Sequence, residues 1–121
     1  MKKILVLVLV LASYGASVSA VNSSDYNVFY KLNNETTFNS LARYLDVDFK
    51  QADQLKYVFS LTEDKLNSAL KKDNEVAIEK AMRFNLSNAK FILSDAQYKK
   101  YLIALNMSIN NDKQSLYAEN L

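Results

Sequence analysis

The sequence predicts an all-α protein, and three observations carry that prediction. There is no proline, and the one glycine is Gly15 near the start, so the chain lacks the residues that tight hairpins and sharp loops use. From Phe38 onward, apolar residues recur at spacings of three and four, the pattern of one-sided helices. Two short stretches, around Asp48 and Ser94, carry the chemistry of a helix start, and Asn and Asp are left to punctuate, since they tolerate the left-handed conformation best after glycine. The expected architecture is a small bundle or hairpin of about four helices, roughly 36–46, 48–71, 75–93 and 95–110.

Residues 1–20 read as a cleaved signal peptide. Lys2 and Lys3 form a positive start, Ile4 to Ala12 is an unbroken apolar run, and Val18-Ser19-Ala20 offers the small residues that signal peptidase prefers. The run is shorter than the roughly 20 residues that span a bilayer. With no cysteine to carry a lipid, no stable membrane anchor is expected after cleavage. The expected location is periplasmic or secreted.

Residues 21–35 are expected to form an N-terminal arm, extended or disordered, because they are rich in Asn and Ser while Tyr26, Val28, Tyr30 and Leu32 alternate at period two. A helix then starts at Thr36 or Thr37, with Phe38, Leu41, Tyr44 and Leu45 on its inner face. Asp48 opens the next helix and Gln51 follows three residues later, the spacing of a capping box, with Val47 and Ala52 placed to staple it. Ala52, Leu55, Phe59, Thr62, Leu66 and Ala69 then form a seam of coiled-coil type.

Asp73-Asn74-Glu75 reads as a turn and a new start. Ile78, Ala81, Met82, Leu86, Ala89 and Leu93 supply the next inner face, and Glu79 and Arg83 form an i,i+4 pair. Ser94 and Gln97 make a second capping box, with Leu93 and Tyr98 as its staple and Asp95 favourably placed at the positive end of the dipole. Tyr98, Tyr101, Leu102, Leu105 and Ile109 draw the stripe of the last helix, which Asn110-Asn111-Asp112 should stop. The tail 111–121 is expected outside the helical domain of 36–110.

Composition narrows the function. The chain has 15 basic and 13 acidic residues, and without Lys2 and Lys3 the balance is 13 against 13. A neutral chain gives no basic footprint for nucleic acid. There is no histidine and no cysteine, so neither a His-based nucleophile nor a His/Cys zinc site can be assembled, and no catalytic residue, metal or cofactor is expected. Glu63-Asp64, and Glu75 with Glu79, read as solvated helix faces rather than catalytic pairs.

The stretches Leu45 to Gln51 and Leu93-Ser94-Asp95-Ala96-Gln97 both resemble the Leu-Thr-x-x-Gln motif of the Spy/CpxP family of small helical periplasmic proteins. In the first, Val47-Asp48 stands where the motif has Leu-Thr; in the second, Ser replaces Thr. Asn85 to Asn110 is closer still to short exported proteins of Bacteroides-type Gram-negative bacteria without assigned function. The Spy/CpxP resemblance implies a helical cradle that binds proteins, either unfolded clients or an envelope stress sensor. A structural or surface protein of the envelope that self-associates through its amphipathic helices, for instance along the Ala52–Ala69 seam, is the alternative. The candidate partner-binding residues are Tyr57, Phe59, Tyr98 and Tyr101, because tyrosine joins an apolar ring to a polar tip. Asn85, Asn88, Asn106 and Asn110 sit in apolar helices, where they either form a buried polar layer or lie partly exposed.

Overall fold

The structure is a computed structural model that describes residues 23–119, with side chains through Asn111. The expected signal peptide, 1–20, lies outside the described residues. Within them are five helices and no strand: α1 (Ser23–Leu32), α2 (Glu35–Leu45), α3 (Phe49–Lys71), α4 (Glu75–Ile92) and α5 (Asp95–Glu119). The all-α class holds, but the helix number is five rather than four.

The added helix is α1, where an extended or disordered arm was expected. Its buried residues are Ser24, Val28, Phe29 and Leu32, which fall on one helical face at spacings of four, one and three. The period-two reading skipped Phe29 and counted Tyr26 and Tyr30, which flank that face half-buried. Two side-chain bonds tie α1 and the turn after it to α3: the Tyr30 hydroxyl donates to Asn67 Oδ1 at 2.6 Å, and Asn33 Nδ2 donates to Glu63 Oε1 at 3.0 Å.

Asn34 caps α2, its side chain accepting the Thr36 and Thr37 backbone N–H groups, so this helix starts at Glu35, slightly earlier than expected. At its end Asp46 is left-handed (φ 56°), and Asp46 N–H and Val47 N–H donate to the Arg43 and Ala42 carbonyls. That is a Schellman ending, with aspartate where glycine is usual. The end of α3 repeats it: Asp73 is left-handed (φ 52°), and Asp73 and Asn74 N–H donate to Leu70 and Ala69. In both turns aspartate takes glycine's place; among the described residues no asparagine adopts the left-handed conformation.

α3, with 23 residues, is a rod of roughly 35 Å, and the most extensive packing in the molecule joins it to α4 as an antiparallel hairpin. Leu55, Phe59, Thr62, Leu66 and Ala69 of its seam are buried, as are Ile78, Ala81, Met82, Leu86 and Ala89 of α4. The seam is therefore filled within the chain, and a dimer along it would require the hairpin to open.

α1 and α2 pack on α5, and α1 also on α3. Phe38 of α2, Phe59 of α3 and Tyr101 of α5 meet edge to face, with centroids 5.9 Å and 6.2 Å apart, the arrangement that aligns ring edges with ring faces. α5 runs past Asn110-Asn111-Asp112 to Glu119 instead of stopping there. Asn110 and Asn111 are exposed, and an exposed asparagine lowers helix propensity by less than about 1 kcal/mol, too little to force an end.

Candidate functional site

The two capping boxes form as expected, and then lock onto each other. Asp48 Oδ1 accepts Gln51 N–H at 2.7 Å while Gln51 Oε1 accepts Asp48 N–H at 3.1 Å. Ser94 Oγ accepts Gln97 N–H at 3.2 Å while Gln97 Oε1 accepts Ser94 N–H at 2.9 Å. Gln51 Nε2 also donates to Ile92 O at 3.2 Å and to Gln97 Oε1 at 2.8 Å. Gln97 Nε2 returns the pattern, donating to Asp46 O at 3.1 Å and Gln51 Oε1 at 3.3 Å. Each glutamine thus caps its own helix, ties down the end of the other helix pair, and meets its counterpart. The starts of α3 and α5 and the ends of α2 and α4 become one rigid platform.

At this end the chain leaves large apolar groups in water. Phe49 is 91% exposed in the first turn of α3, and Phe91 is 89% exposed in the last turn of α4. The bond from Gln51 to Ile92 O places these two turns together. Beside Phe49 lies an open trough of about 510 Å³, with Ala42, Val47 and Ala52 in its lining and Arg43, Asp46 and Asp48 at hand. Neither phenylalanine was singled out from the sequence, although the signal is present: Phe49 falls off the Ala52–Ala69 seam, and Phe91 off the Ile78–Leu93 stripe.

Of the four candidate partner-binding residues, Tyr57 alone stands in solvent, at 65% exposure. Tyr98 is half-buried against the core, and Phe59 and Tyr101 are fully buried. Phe59 and Tyr101 lie on inner stripes, so their rings complete the α2–α3–α5 aromatic contact and have no face left for a partner. Tyr57 lies on the face of α3 away from Phe59, apart from the Phe49 turn.

The tyrosine hydroxyl of α5 has an internal role. Tyr101 donates to Asn85 Oδ1, Asn85 Nδ2 donates to Thr62 Oγ1 at 3.1 Å, and Thr62 donates to Val58 O at 2.7 Å. All three side chains are fully buried. Asn85 therefore forms the buried polar layer that fixes helix register, whereas Asn88 and Asn106 are half-buried and Asn110 is exposed. Burial pushes the Tyr101 phenol well above its usual range, with Tyr98 nearby adding to the effect. Burial also raises Tyr98, and raises Tyr30 together with the neighbouring Glu63 charge.

Glu63 is occupied by Asn33, and Glu79 pairs with Arg83 at 2.5 Å as the spacing predicts. Among the described residues no three carboxylates gather as a metal-ligand set, and no helix is long and apolar enough to cross a membrane. Comparison with protein-family models, with curated proteins and with solved structures finds no match to this chain.

Proposed function

We propose that the chain is an exported, non-enzymatic helical protein that binds other proteins, in the manner of the Spy/CpxP-like periplasmic chaperones and stress-sensor partners it resembles. The observation that carries this reading is the pair of exposed rings, Phe49 and Phe91, on the platform locked by Gln51 and Gln97. A rigid platform loses little freedom when it binds, so more of the contact energy remains as affinity. Burying a phenylalanine is worth about 1.5–3 kcal/mol, and two such rings suit the weak, reversible grip that handling many clients needs. The absence of histidine and cysteine supports a role without chemistry, and the leader-like residues 1–20 support export.

Light scattering of an aggregating, chemically denatured client tests the proposal. Residues 21–121 should suppress aggregation at near-stoichiometric ratios, and Phe49→Ser with Phe91→Ser should abolish suppression while the helical circular dichroism stays unchanged. No suppression by the unaltered chain would refute the unfolded-client reading. The alternative, a self-associating envelope protein, is favoured by one feature: the Phe49 knob and the Ala42–Val47–Ala52 trough share a surface, as a two-fold contact requires. A mass that doubles with concentration in sedimentation would select it.

A further inference from the structure

We infer that the trough between the second half of α3 and the first half of α4 is a docking groove for an acidic amphipathic helix of a partner protein. The inference rests on the protein-binding reading and names the partner's chemistry. The groove holds about 310 Å³; Lys65 and Lys72 stand on its α3 side and Lys80 on its α4 side, and no carboxylate lines it. Beneath the lysines the lining is made of small side chains, with Ala69 and Ala81 buried, Ala77 half-buried and Ser68 exposed, and Phe84 lies beneath the Lys65 ammonium, 4.7 Å from the ring centroid. In a chain whose basic and acidic residues balance once Lys2 and Lys3 are set aside, three lysines around one trough that no carboxylate lines are a local excess of one sign, and that is what selects an anionic partner.

The shape selects a helix. The trough is open to solvent, so a small molecule in it would stay partly in water, whereas bound small ligands are usually mostly enclosed. Lys65 of α3 and Lys72, the residue that caps its C-terminal end, are seven residues apart, roughly 10.5 Å along the axis. Carboxylates seven residues apart on a partner helix have the same rise. The small side chains that reach its surface, Ala77 and Ser68, let a helix axis approach at about 8 Å, the near end of ordinary helix packing. A flat anionic lipid surface would meet the lysines but leave the floor empty.

The probe is a fluorescein-labelled helical peptide with glutamates at i and i+7 beside an alanine–leucine face, together with a counterpart carrying lysines at those glutamate positions. Anisotropy titration with residues 21–121 should show the acidic peptide binding about tenfold or more tighter than the basic one, with the difference collapsing near about 0.5 M salt. Lys65→Glu, Lys72→Glu and Lys80→Glu together should reverse the preference, and the three Lys→Gln replacements should remove it. Equal affinity for both peptides, an unchanged preference in the charge-reversed variant, or binding to anionic vesicles with none to the acidic peptide would overturn the inference. If the unaltered chain suppresses client aggregation but binds both peptides equally, the protein-binding reading survives and this groove does not.

Discussion

Replacing Gln51, Gln97 or both by alanine measures how much the mutual lock of the two capping boxes holds the bundle together. Each side-chain amide makes four hydrogen bonds, and the two amides share two of them. Both glutamines are half-buried, so water recovers part of each lost bond, and about 0.5 kcal/mol per bond, the low end of the usual net value, is appropriate. Each single variant should then lose ~2 kcal/mol. The double variant loses six bonds rather than eight, so it should lose ~3 kcal/mol, leaving a coupling of ~1 kcal/mol between the sites. Urea unfolding followed by far-ultraviolet circular dichroism gives the four free energies of the cycle. Additive losses, with coupling below about 0.3 kcal/mol, would mean that the two boxes are independent caps and that the platform is not one unit.

Two further outcomes follow from the core and the turns. Tyr101 keeps its proton when buried, so above about pH 10, where the unfolded chain releases it, the native state holds one more proton and stability should fall by as much as ~1.4 kcal/mol per pH unit. The urea midpoint should therefore drop between about pH 9.5 and pH 11, and less steeply in Tyr101→Phe; a flat profile in the unaltered chain would refute the burial argument. Asp73→Gly removes the Cβ from a left-handed residue (φ 52°) and should raise stability by about 0.5–1 kcal/mol, read as a higher thermal midpoint; a lower one would show that the aspartate side chain contributes more than its strain costs.

Much of this bundle is legible in the sequence because its signals are local. The caps at Asp48 and Ser94 need only residues three apart, and the inner faces of α3 and α4 follow from spacing alone. α1 was missed because alternating tyrosines mimicked a strand once Phe29 was overlooked; its polar anchors, Tyr30 on Asn67 and Asn33 on Glu63, join positions far apart in the chain. The same distance hid the lock, since nothing in either capping box states that Gln51 and Gln97 face each other across 46 residues. Tyrosine chemistry suggested a surface role for Tyr101, yet its place on the inner stripe already argued for the core, and the packing follows the stripe. Phe49 and Phe91 show the converse: large apolar residues that fall off their helix pattern stay in water.

The aromatic contact of Phe59 and Tyr101 makes the protein its own spectroscopic gauge. The chain contains no tryptophan, so its near-ultraviolet signal comes mainly from tyrosines. Among those described, Tyr101 alone is fully enclosed, held edge-on to Phe59 and hydrogen-bonded to Asn85. A ring fixed in so asymmetric a setting gives strong tyrosine ellipticity, whereas freely turning surface rings give little. Loss of that band with the helical signal intact would mark a state in which the helices persist but the α3–α4–α5 core has loosened, without any label being added.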